Sequence, residues 1–154
     1  MHVTAKVDYA VRSLIEISAA TDGPVRADDI SAAQEIPLGF LRGILTDLRK
    51  AGLITSQQGV SGGFRLAKAA DQISIADVFR AIEGPLAEVR GVRPHELEYN
   101  ERAAALRDVW VALRANLRSV LDETSIAQVA SGKLPRHVSR LAADPAAWDV
   151  LPRP

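Results

Sequence analysis

Leu38-Gly39-Phe40-Leu41-Arg42-Gly43-Ile44-Leu45-Thr46-Asp47-Leu48-Arg49-Lys50-Ala51-Gly52 reads as one amphipathic helix and its stop. Leu41, Ile44, Leu45 and Leu48 recur at i, i+3, i+4 and i+7, the spacing that gives a helix a single apolar stripe, and Gly52 suits the left-handed conformation that ends one. The spacing predicts a helix over 38–51. Its other face carries Gly39, Arg42, Gly43, Thr46, Arg49 and Lys50, and is small and basic. A glycine inside a helix costs about 1 kcal/mol relative to alanine, so Gly39 and Gly43 do not serve helix stability; they let a backbone approach something closely.

Upstream, Val7, Val11, Leu14 and Ile17 predict a first helix from about Thr4 to Ala20, closed by Thr21-Asp22-Gly23-Pro24. A second, Ala27 to Glu35, has Asp28 and Asp29 in its first turn, where the helix dipole favours negative charge, and breaks at Ile36-Pro37. Downstream of Gly52 the period becomes alternating. Leu53 to Gln57 and Phe64 to Ala67 read as two strands around the loop Gln58-Gly59-Val60-Ser61-Gly62-Gly63, and Ser74 with Asp77 starts a fourth helix that ends at Gly84-Pro85. The compact unit closes near Gly84 on this reading.

Residues 85–100 show no clear period and read as a linker. Leu106, Trp110, Leu113, Leu117 and Val120 then recur at alternating spacings of four and three on a helix of roughly 101–122, a seam suited to a partner helix. Residues 124–130 add a turn or two. The division expected is a head at 1–84, a linker at 85–100, a dimerisation helix with a helical segment at 101–143, and a tail at 144–154 that frays unless Trp148 pins it.

The 154 residues make about one domain at the usual ~100–200 residues each, and 47% hydrophobic with 25% charged residues excludes a disordered chain. No cysteine is present, which removes disulfides, thiolate zinc sites, cysteine nucleophiles and all-cysteine iron–sulfur clusters together. No apolar run approaches the ~20 residues of a membrane span, and the start is too charged for a signal-peptide core, so the expectation is a cytoplasmic protein with no membrane partner. The formal net charge is zero, yet Arg42, Arg49, Lys50, Arg65 and Lys68 stand against Asp47 alone between positions 42 and 68. Such a patch can hold phosphates on a neutral molecule.

Helix, helix, turn, helix, β-ribbon, helix is the order of a mostly α, α+β winged helix-turn-helix, with a two-stranded β-wing and a long C-terminal dimerisation helix. That order implies binding to double-stranded DNA through the third helix. Arg42 is the expected base reader, with Leu38, Gly39, Phe40, Gly43 and Thr46 along the approach, and Arg49 and Lys50 either on phosphate or complementing the dipole at the helix C-terminus. The ribbon is expected to contact DNA through Gln57, Gln58, Gly59, Ser61, Gly62, Gly63 and Arg65. The loop is neither a Walker motif nor G-x-G-x-x-G, which disfavours a nucleotide cradle.

Asp8-Tyr9-Ala10-Val11-Arg12-Ser13-Leu14, Phe40 to Leu45, Leu48 to Ile54, Gly59 to Ala67 and Ile73 to Val78 together resemble the IscR/NsrR/CymR-type regulators, the Rrf-two family, with weaker likeness at 82–86 and 124–127. The resemblance covers about residues 1–130. It implies a homodimeric winged-helix transcription factor whose long helix crosses to the other subunit, with two recognition helices facing successive grooves of a palindrome. Cluster-bearing members have three cysteines in the stretch corresponding to 86–105, where this chain has none, so no iron–sulfur cofactor is expected. Asp8 resembles an extra cluster ligand of some nitric-oxide-sensing members, and one carboxylate without sulfur cannot hold that cofactor.

His95, Glu96 and Glu98 have no diagnostic ligand spacing and no metal is expected; His2 and His137 are lone histidines. The three histidines show no nucleophile–base arrangement, so no enzyme is expected. Trp110 reads as a core or dimer-interface aromatic rather than a ligand platform. Arg90 and Arg93 read as solvated, with an anionic effector as the alternative. If a signal is sensed, the linker and the groove between two long helices are where it would change the separation of the heads. The competing reading is a protein-interaction winged helix, or a regulator controlled by a partner protein or small molecule.

Overall fold

The computed structural model describes residues 2–149. The order is α1 (Ala5–Ala19), α2 (Ala27–Gln34), α3 (Leu38–Lys50), β1 (Ile54–Gln57), β2 (Gly63–Leu66), α4 (Ile75–Glu83), α5 (Leu106–Leu121), α6 (Ile126–Ser131) and α7 (Arg136–Ala142). This is the winged helix-turn-helix that the apolar periods predict. Thr4 caps α1 by accepting from the Val7 N–H at 3.3 Å, and Ser74 with Asp77 forms the capping box of α4. Glu35, in the left-handed region at φ 53°, turns the chain between α2 and α3.

One core holds the head together. Ala10, Leu14 and Ile17 of α1, Ile30 and Ile36, and Leu41, Ile44, Leu45 and Leu48 of α3 bury in a single cluster with Leu53, Ile54, Ile73 and Val78. Full burial of each large aliphatic chain stabilises by about 1.5–3 kcal/mol, so the four-residue stripe of α3 outweighs the ~1 kcal/mol each of its two glycines. A second cluster, Val7, Ala76, Phe79 and Leu86, receives Leu121 at the end of α5.

The wing is an antiparallel pair with Ile54 opposite Leu66 and Gln57 opposite Gly63. A third segment joins it. The N–H groups of Val25 and Phe64 donate to each other's carbonyl oxygens at 2.9 and 2.8 Å, fastening the wing to the entry of α2.

Three differences from the sequence reading concern the second half. The long helix begins at Leu106, not near 101, because Asn100 Oδ1 accepts from the Ala103 N–H at 3.2 Å and closes a 3₁₀ turn over Glu101–Ala103 first. The linker is folded: Leu86, Pro94 and Leu97 are buried, Val89 pairs with Val92, and Pro94–Glu96 makes a 3₁₀ turn. The main cluster also takes in a residue from well beyond Gly84. Ile126 of α6 is fully buried in the main cluster, and the Ile75 and Ile126 N–H groups donate to Thr124 and Ile73 carbonyls, both at 2.9 Å.

Of the tail expected at 144–154, residues 150–154 lie outside the described residues. The Trp148 indole donates to the Ala142 carbonyl at 2.7 Å, tying residue 148 to α7. Among the described residues no helix is long and apolar enough to cross a membrane.

Candidate nucleic-acid interface

Burial of one stripe of α3 leaves the opposite face outside. Gly39, Phe40, Arg42, Gly43, Arg49 and Lys50 are exposed, whereas Leu38 is half-buried against the core and Thr46 is half-buried with its hydroxyl donating to the Arg42 carbonyl at 2.9 Å. The Arg42 side chain pairs with no carboxylate among the described residues. A Cβ at Gly39 or Gly43 would meet nothing within 4 Å, so no packing inside the molecule calls for glycine there. The Phe40 ring, 48% exposed, stands edge-on to Tyr9 with centroids 5.8 Å apart.

At the far end Arg49 Nη1 donates to Ser56 Oγ at 3.3 Å, which links α3 to β1 and sets the basic end of the helix beside the wing. Asp47, the one acid of this stretch, is engaged by Lys6 at 2.8 Å. The hydrogen bond from Lys6 holds its carboxyl below the ordinary value against partial desolvation, with the Lys6 and Lys50 charges adding to the effect. The acid is thereby tied to α1, and the outer face keeps its positive character.

In the wing, Gln57, Gln58, Gly59, Ser61 and Arg65 are exposed. Gly62 and Gly63 differ from their neighbours. A Cβ at Gly62 would lie 2.3 Å from the Gln57 carbonyl oxygen, and one at Gly63 would lie 2.6 Å from that of Val25, so the wing's own packing accounts for both glycines. Beside them, Arg26, Asp28, Ser56 and Gln57 at the end of β1, and the turn residues Gln58 and Gly59 border an open recess of about 320 Å³.

Two residues escaped the sequence reading. Val60 is 97% exposed at the wing tip, an apolar side chain already visible between Gly59 and Ser61. Arg26 is exposed at the start of α2, and only the pairing of Val25 with Phe64 places it by the wing.

The seam lies elsewhere. No residue of α5 is buried: Leu106 and Leu113 are 38% and 44% exposed, Trp110, Leu117 and Val120 are half-buried, and Val109 and Val111 are also open. The Trp110 indole donates to the Tyr99 hydroxyl at 3.1 Å. His95 lies 3.6 Å from Glu96, and no three histidine or acidic side chains gather among the described residues. His137 is not alone: its Nε2 stands 2.6 Å from the Ser119 carbonyl oxygen and 3.5 Å from Glu123.

Known proteins share this architecture. The structure of CymR (YrzC), the global cysteine regulator of B. subtilis, superposes with a TM-score of 0.73 at 28% identity, over 86% of this chain and 98% of that one. That of T. potens IscR gives 0.68 at 23% identity over 97% of each, a likeness of fold. The relative named "Putative HTH-type transcriptional regulator Rv1287" of Mycobacterium tuberculosis is 50% identical over 145 residues, 94% of this chain and 90% of its own length.

The family model described as Rrf2, iron-dependent transcriptional regulator, matches residues 3–132. The iron in that description does not fit this chain's donors: it has no thiolate to offer, and its histidines and acids are not gathered into a ligand set among the described residues. Fold, exposed basic helix and relatives agree on a DNA-binding transcriptional regulator and not an enzyme, and the chain belongs to the Rrf2 family.

Proposed function

We propose that the protein is a sequence-specific repressor that binds a palindromic operator as a homodimer and does not use an iron–sulfur cluster. The observation that carries this reading is the outer face of α3, where Arg42 stands between two glycines that nothing inside the molecule requires. Gly39 and Gly43 let the helix backbone sink into the major groove, and Arg42 reads a base edge there. Arg49, Lys50 and Arg65 hold phosphates on either side, and Gln57, Gln58, Gly59 and Ser61 of the wing follow the adjacent backbone or minor groove. Leu38, Phe40 and Thr46 shape the approach, and Gly62 and Gly63 keep the wing turn tight.

Residues 1–84, completed by α6, form the reading head, and residues 85–100 connect it to α5. The face of Leu106, Trp110, Leu113, Leu117 and Val120 receives the same face of a second copy, because an amphipathic helix whose apolar face is left unburied gains most from a self-complementary partner. Two heads then meet half-sites about one helical turn apart, and occupancy of the operator blocks transcription.

Selection of bound fragments from random duplex pools tests the reading. The expected product is an inverted repeat with half-site centres about 10 base pairs apart, bound by two chains. Recovery of unrelated sequences, or of single half-sites bound by one chain, would overturn it.

A further inference from the structure

We infer that a recess walled by four arginines, where the head, the linker and α5 meet, binds a small multiply charged anion bearing phosphate or carboxylate groups. The recess has a volume of about 340 Å³ and is lined by Arg80 of α4, Arg93 of the linker, Arg114 and Arg118 of α5, and the Gly84–Leu86 turn. That volume suits a metabolite rather than a macromolecular surface, since small-molecule sites begin at about 300 Å³.

The charges around it are unevenly compensated. Asp122 accepts from Arg80 at 2.6 Å and from Arg118 at 2.7 Å, and Asp77 lies 3.3 Å from Arg80. These contacts use a few of the ten N–H donors of two guanidinium groups and hold both in place. Arg93 and Arg114 pair with no carboxylate among the described residues, and positions 1 and 150–154 contain no acidic side chain. Two anchored and two uncompensated guanidinium groups around one cavity repel one another until an anion enters. Planar forks of this kind match the bidentate geometry of phosphate and carboxylate oxygens.

The walls come from parts of the molecule that have different tasks. α4 packs on α1 and α3, while Arg114 and Arg118 belong to the helix proposed to join two copies. An anion held between Arg80 and Arg114 therefore fixes the head relative to α5, and occupancy changes operator affinity by that route. This regulatory consequence rests on the function proposed above; the binding site does not.

The test is calorimetric titration of the full chain with inorganic pyrophosphate and, separately, citrate, at constant ionic strength. Saturable binding of at least one probe, one per chain, is expected. The Arg93→Gln/Arg114→Gln double variant should lower its affinity about tenfold or more while melting no lower than the parent, because neither side chain has an internal partner and their mutual repulsion is relieved. Arg140→Gln, exposed on α7, should bind like the parent. Preference for pyrophosphate assigns a phosphate-bearing ligand, and preference for citrate assigns a polycarboxylate.

Absence of saturable binding by either probe, or undiminished binding in the double variant, would overturn the site. Operator affinity, measured in the same samples with and without probe, should shift for the parent and not for the double variant; no shift in a chain that binds the probe removes the regulatory role. A chain that selects its operator and ignores both anions loses this site and keeps the proposed function. One that binds anion and selects no duplex keeps the site and loses that function.

Discussion

Arg80 Nη2 stands 2.6 Å from Asp122 Oδ1, 42 residues further along the chain, and joins α4 of the head to the end of α5. Arg118 reaches the other oxygen of the same carboxylate at 2.7 Å. Burial raises the Asp122 carboxyl, and the hydrogen bonds and charges of Arg118 and Arg80 lower it by more, so it sits below the ordinary carboxylate value. A folded value below the unfolded one stabilises the protein above the unfolded value of about 4, and this contribution is lost as pH falls through the folded value. Asp122→Asn should therefore cost about 1 kcal/mol at neutral pH, modest because both arginines are partly exposed. Denaturant unfolding on acidification below about pH 4 should show parent and variant converging; a constant gap would contradict the pairing.

Gly43 and Gly62 should respond to alanine in opposite ways. Gly43→Ala enters open space in a helix interior and is expected to stabilise by about 1 kcal/mol, seen as a rise in melting temperature of about 2–4 °C, while weakening DNA binding. Gly62→Ala places a methyl group 2.3 Å from the Gln57 carbonyl oxygen and should destabilise by about 1–3 kcal/mol. A Gly43→Ala protein that is both more stable and undiminished in DNA binding would show that the α3 backbone does not approach the duplex.

Arg42 and Arg65 differ in what they are expected to contact. Arg42→Ala should lower affinity for the selected operator by about 1–3 kcal/mol and leave binding to random duplex nearly unchanged. Arg65→Ala should weaken both alike and make the slope of log affinity against log salt shallower by about one. Titrations over a salt series separate the two, and parent-like behaviour in both variants would misplace the reading surface.

Leu113, 44% exposed in the single chain, has little to lose there on becoming polar. Leu113→Asp would bury a carboxylate in a paired α5 seam, and its cost should appear only on association. Sedimentation should show the parent as a dimer and the variant as a monomer with an unchanged melting profile at low concentration. A variant that sediments like the parent would exclude this face as the interface.

Much of the head was legible along the chain because its signals are local. The stripe from Leu41 to Leu48, the stop at Gly52, the capping box of Ser74 and Asp77 and the hairpin around Gly59 each depend on residues close together along the chain. The exposed basic face of α3 followed from the same stripe, since burying one side of a helix leaves the other outside. The late start of α5 was not legible because Glu101-Arg102-Ala103-Ala104-Ala105, all strong helix formers, precede the apolar period, while Asn100 winds the first three into a tighter turn.

Contacts between distant segments were decided by the path of the chain. Nothing local in Val25 announces a bridge to Phe64, so whether the wing glycines serve DNA or packing could not be read from the loop alone; the backbone brought against Gly63 supplies its packing role. Likewise Ile126 reads as one apolar residue in a short helix until it is seen beneath α1, and Arg80, Arg93, Arg114 and Arg118 read as separate solvated charges until three elements converge on them. Periodicity records which face of an element avoids water; which other element covers that face, and which charges are brought together as it does so, depends on long-range packing that no spacing encodes.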